Sequence, residues 1–159
     1  MKLKNWIKMS AIAAVIASPL VVAKDAPLFK KKVDAVEYRQ HTFQVIRHNF
    51  GQMRAMIGGK RAFDQQEFQQ RADNLAALAK MPWEAFLQGT DMKSISEKNS
   101  ALPAIWSKKG EFDEIARLFE KNTAALAVAA KTGNKGKIKK ALGQVGKNGC
   151  KGCHDNFKD

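Results

Sequence analysis

The chain has 159 residues and is 45% apolar, enough for one domain with a core of ordinary size, and no stretch reads as disordered or low-complexity. Its net charge of +13 suits anionic partners. No nucleic-acid motif and no alternation of aromatic and basic residues is present, so nucleic acid is not an expected partner, and a solvated basic surface or an acidic protein partner remains.

The first 23 residues stand apart. Lys2, Lys4 and Lys8 give a basic start, and an apolar run from Met9 to Ala23 follows, broken only by Ser10, Ser18 and Pro19. Val21-Val22-Ala23 closes it on a small residue, the pattern of a secretory signal peptide cleaved after Ala23. The run is short for a span, which needs about 20 apolar residues. No second such run exists, so no membrane span is expected in the mature form. The mature domain is then residues 24–159, exported to the periplasm, with a net charge of +10 once three signal lysines are removed.

Residues 24–32 read as a polar lead-in with a loosely held end. A first helix is predicted from about Val33 to Ile57. Val36, Phe43, Phe50 and Ile57 recur every seven residues, with Ile46 and Met53 between them, as in a bundle seam. Gly58-Gly59 stops it. A second helix is predicted from about Gln65 to Lys80, with Asp64 as N-cap, Glu67 completing a capping box, and Phe68, Ala72, Leu75, Leu78 and Ala79 inward. A long connection from Met81 to Ser107 holds Trp83, Phe86, Pro103, Ile105 and Trp106. Connections of that length are usually functional, and these aromatics suit packing on something large and flat. A third helix follows from about Lys108 to Lys131, with Phe112, Ile115, Phe119, Leu126 and Ala130 inward. Gly133 ends it. A fourth runs from about Asn134 to Phe157, with Ile138, Ala141, Leu142, Val145 and Cys153 on one stripe. No segment alternates as a strand. The fold class is all-α, an antiparallel four-helix bundle.

Cys150-Lys151-Gly152-Cys153-His154 is C-x-x-C-H, the attachment signature of c-type haem. Residues three apart share a helix face, so both sulfurs can reach the two vinyl groups of one haem, and His154 follows as the axial iron ligand. Three other readings use the same residues. A disulfide between Cys150 and Cys153 strains a helix. A thioredoxin-like pair needs a βαβ setting. A zinc site has to recruit His41 or His48 from far away and off the apolar stripe. The expected cofactor is therefore one covalently bound haem c per chain, in a pocket formed by the preceding helices.

With this motif in place, the mature chain resembles the class II c-type cytochromes, most closely the cytochrome c′ group. The resemblance rests on Val36-Glu37-Tyr38-Arg39-Gln40, Phe50-Gly51-Gln52-Met53, Gly59-Lys60, Met81-Pro82-Trp83-Glu84-Ala85-Phe86, Ile105-Trp106, Lys131-Thr132-Gly133 and Cys150 to His154. It implies a homodimer pairing through the first two helices. It also implies that Arg39 and Gln40 lie on the haem propionate side, that Trp83 and Phe86 pack on the haem, and that Phe43 faces the distal side of the iron. Six-coordinate relatives have a ligating Met at the position of Phe43. A phenyl ring has no electron pair to give, so the resemblance implies a five-coordinate iron. Met53 and Met56 are alternative ligands, but Met53 lies about 15 Å further along the helix and Met is a common core filler. Where the family often has Arg, four residues beyond the axial His, this chain has Lys158, which keeps the charge and loses the planar fork. Two readings stay open for it: a place near the proximal face of the iron, or an end frayed into solvent.

The expected function is binding of small diatomic gases, nitric oxide and carbon monoxide, with electron transfer also available to the haem. The alternative is a dedicated periplasmic electron carrier with a six-coordinate haem. No general acid or base is evident beside Phe43, so catalysis is not expected.

Overall fold

The computed structural model describes residues 26–159. The expected signal peptide, residues 1–23, lies outside the described residues. Helix α1 spans Lys32–Ile57, α2 Gln65–Leu78, α3 Ala104–Ser107, α4 Lys109–Lys131, α5 Lys135–Gln144 and α6 Gly152–Phe157. A 3-10 turn covers Pro82–Ala85 and a π-helical segment, Val145–Lys151, joins α5 to α6. The predicted fourth helix is thus one continuous arm in three parts. This arm, α1, α2 and α4 form the four-helix bundle, and α4 packs on α2, α5 and the π segment. No strand occurs among the described residues, and no helix there is long and apolar enough to cross a membrane.

Local chemistry sets the ends. Asp64 accepts the Glu67 N–H at 2.7 Å and starts α2. The predicted return bond from Glu67 is absent, because its carboxylate is taken by Arg61 and Arg71. Gly59 and Gly133, beyond α1 and α4, have φ of 73° and 64°, a conformation that glycine adopts without a Cβ penalty. Asn134 starts α5 by accepting the Lys137 N–H.

The core differs from the expected seam of α1 in one respect. The fully buried row is Arg39, Thr42, Ile46, Asn49, Met53 and Met56, while Phe43, Phe50 and Ile57 lie half-buried at its edge. Two of the buried polar residues satisfy themselves locally: Thr42 Oγ1 donates to the Tyr38 carbonyl and Asn49 Nδ2 to that of Val45. The phenylalanine row is left facing the C-terminal arm and the long connection.

Both ends of the described residues are tied down more firmly than the sequence suggests. Phe29 packs edge-on against Tyr38 at 5.4 Å. The backbone of Lys158 pairs with Ala101 in an antiparallel bridge, with Leu102 N–H donating to the Phe157 carbonyl and Asp159 N–H to that of Ser100. Fraying of Lys158 is therefore corrected: Phe157 is buried and anchors the turn before it, and only the lysine side chain reaches solvent.

Candidate functional site

The C-terminal arm carries Cys150 at the end of the π segment and Cys153 and His154 in α6. The π turn coincides with Gly146 and Gly149, which bring the arm against its neighbours. A Cβ on Gly149 would stand 2.4 Å from Phe119 Cδ2, and one on Gly146 would stand 3.2 Å from Phe50 Cζ. Single π turns inside α-helices recur at functional sites.

Both cysteines are free and half-buried. Burial raises both thiols, Cys153 to about 11, with the Cys150 charge adding to the effect there. Cys150 packs on the larger core cluster, as do Phe43, Phe50 and Trp83. Cys153 packs on a smaller one built from Ala101, Ile105, Phe112 and Phe157, as do Trp83 and Phe86. Trp83 belongs to both. Its ring is 5.8 Å from Phe43, 6.3 Å from Phe86, 5.8 Å from Phe112 and 6.1 Å from Phe119. The indole N–H is satisfied by the Ala79 carbonyl at 2.7 Å. Phe43, Trp83 and Phe86 thus lie against one another, and the two thiols pack on the same two clusters.

His154 follows Cys153 in α6. With Cys150 it lines an open groove of about 860 Å³ between the end of α1 and the arm, floored by Phe50, Ile57, Leu142, Gly143 and Gly146. Burial lowers the pKa of His154, Lys158 lowers it further, and Asp155 opposes them.

Arg39 and Gln40, expected on the propionate side, both reach the long connection. Arg39 is 3% exposed. Its Nη1 donates to the Ala85 carbonyl at 3.2 Å and to Thr90 Oγ1 at 2.7 Å, and its Nη2 to the Thr90 carbonyl at 2.5 Å and Asn99 Oδ1 at 3.3 Å. The guanidinium also lies 4.7 Å over the Phe86 ring. Burial pulls its pKa down to about 10 and Asp91 opposes this, so it stays charged at neutral pH. Its terminal donors therefore clamp the long connection, and Nε–H is the donor left over. Gln40 is exposed and donates to the Lys98 carbonyl at 2.9 Å.

The residues present fit a haem c. Two unpaired thiols three positions apart sit beside a sheet of aromatic rings, and an imidazole and a groove lie alongside. The competing readings lose ground: the thiols are not bonded to each other, and no cluster of three His, Cys, Asp or Glu able to hold a metal exists among the described residues. His41 and His48 are exposed on α1. Sequence reasoning passed over the roles of Phe119 and Arg54. Of Gly143, Gly146, Gly149 and Gly152, spaced at every third position, Gly146 and Gly149 are the two that meet another helix.

A profile described as Cytochrome C' matches residues 34–158. Cytochrome c' of Rubrivivax gelatinosus is 40% identical over 82% of this chain and 98% of its own, and its crystal structure is similar with a TM-score of 0.77. Cytochrome c prime from Shewanella frigidimarina is 47% identical, with a TM-score of 0.78 over 82% of this chain and 98% of that one. Two variants of cytochrome c prime from Alcaligenes xylosoxidans, one in complex with nitric oxide and one with carbon monoxide bound, are 33% identical at a TM-score of 0.74 over 82% of this chain and 98% of each of those. This chain belongs to the cytochrome c′ family, class II c-type cytochromes with covalently attached haem c.

Proposed function

We propose that the protein is an exported, periplasmic mono-haem cytochrome with a five-coordinate iron that binds nitric oxide and carbon monoxide and exchanges electrons. The observation that carries this reading is Phe43. It is half-buried against Trp83 and Phe86, packs on the same core cluster as Cys150, and has no atom able to ligate iron. Met53 and Met56 are buried in the core against α2 and α4.

When bound, haem c supplies an iron that changes oxidation state and takes up small neutral gases. The chain's own residues do the rest. Cys150 and Cys153 would anchor it and His154 would hold its iron. Trp83 and Phe86 would pack on its flat body. Arg39, through Nε–H and its charge, and Gln40 are assigned to the propionate side. Phe43 screens the distal side with hydrocarbon. A small neutral gas enters such a site cheaply, whereas a hydrated anion has to shed its water there. The terminal N–H groups of Arg39 are already spoken for, so no donor is aimed at bound oxygen from that side chain. The gas-bound relatives from Alcaligenes xylosoxidans support the reading. We extend the family's pairing through the first two helices to a homodimer here. Val45, 47% exposed on α1, suits that face.

Substitution Phe43→Met tests the distal assignment. The reduced variant is expected to turn low-spin and to take up carbon monoxide far less readily than wild type. An unchanged spectrum and unchanged carbon monoxide uptake would show that position 43 does not face the iron.

A further inference from the structure

The groove beside His154 has a cationic rim. Arg54 comes from α1, Lys139 from α5, and Lys147 and Lys151 from the π segment, and all four are exposed. One acid lines the same groove, Asp155, and it is paired with Lys151. The surrounding arm, residues 134–159, carries seven lysines against two aspartates. Gathering like charge on one face costs stability through self-repulsion and raises the attraction for anionic surfaces.

We propose that this rim is the docking face for an acidic redox protein. The proposal rests on the reading that a redox-active haem c is held next to His154, and it adds the surface and the partner class. The four cations are exposed and spread around a wide groove, so they suit an extended acidic surface better than one small anion. The groove lies against the residue that would ligate the iron, which keeps the electron path short. Steering by such a rim acts on the rate of encounter and fades with salt.

The test uses the reduced haem-loaded protein in stopped flow, with plastocyanin as an acidic protein oxidant and ferricyanide as a small anionic one. The variant Lys139→Glu/Lys147→Glu is compared with Lys30→Glu/Lys31→Glu, which makes the same change in net charge. Lys31 lies about 34 Å from Arg54 along α1, beyond the screening length at about 20 mM salt. At that salt the groove variant is expected to react with plastocyanin roughly tenfold or more slowly, and the control within about twofold of wild type, the gap closing towards 0.5 M. Equal slowing in both variants would mean that net charge alone acts, and would overturn the proposal. Slowing with ferricyanide but not plastocyanin would overturn it in favour of a small-anion site. Binding to phosphatidylglycerol vesicles that is lost in the groove variant, with plastocyanin rates unchanged, would overturn it in favour of a lipid surface. Each variant is first checked for a wild-type reduced spectrum. If the wild type shows no reducible haem, the underlying reading fails, separately from the rim.

Discussion

Replacing Arg39 by Met tests whether the long connection is held by a buried charge. The substitution keeps much of the aliphatic stem and removes four donated hydrogen bonds to Ala85, Thr90 and Asn99. The carbonyls of Ala85 and Thr90 belong to fully buried residues and lose their partner. Each buried acceptor left alone costs about 1–3 kcal/mol. The stacking over Phe86 adds about 0.5–2 kcal/mol. Release of a buried guanidinium to the unfolded state no longer opposes folding in the variant, which returns part of this. The net loss is about 2–4 kcal/mol, a large share of the roughly 5–15 kcal/mol of a typical domain. Urea unfolding of the haem-loaded protein, followed by far-ultraviolet circular dichroism, reads it directly. Arg39→Lys is expected to recover about half, since an ammonium donates without the planar fork. A loss below about 0.5 kcal/mol in Arg39→Met would refute the clamp.

Three further outcomes follow from the same geometry. Gly149→Ala drives a Cβ to 2.4 Å from Phe119 and is expected to cost about 1–3 kcal/mol, whereas Gly143→Ala, with no atom within 4 Å, is expected to be neutral or stabilising. Similar urea midpoints for the two variants would contradict the close approach of the arm to α4. Glu67 is held below its ordinary carboxylate value of 4.5 by hydrogen bonds from Arg61 and then Arg71, with burial opposing. A depressed carboxylate stabilises the fold above its unfolded pKa, and that contribution disappears as the pH falls through the folded one. The stability gap between wild type and Glu67→Gln should thus be steady near pH 7 and shrink as the pH falls below 4.5, and a gap unchanged in acid assigns it to something other than charge. Finally, the double variant Cys150→Ala/Cys153→Ala should lose covalent haem, read as the loss of one haem mass in a denaturing mass spectrum.

What the sequence made legible was periodic or local. Phe68, Ala72, Leu75 and Ala79 fall on one stripe because a helix repeats every 3.6 residues, and they are buried as the spacing requires. C-x-x-C-H is local too, and its three residues lie on one helical arm. The features that escaped depend on distant pairings. The clamp made by Arg39 is invisible until Thr90, more than fifty positions away, is brought to it. The π turn before Cys150 arises because Gly149 yields to Phe119 from another helix. Lys158 reads as a free end until Ala101 pairs with it. The aromatics of the long connection were legible as a group, while the role of Trp83 in joining the two core clusters was not.

The most direct measurement is the optical spectrum of the reduced protein with and without carbon monoxide. A haem gripped from one side, with Phe43 opposite, predicts a high-spin ferrous spectrum that shifts when the gas is added. A low-spin spectrum that carbon monoxide leaves unchanged would mean that a side chain occupies the sixth position, and would contradict the account.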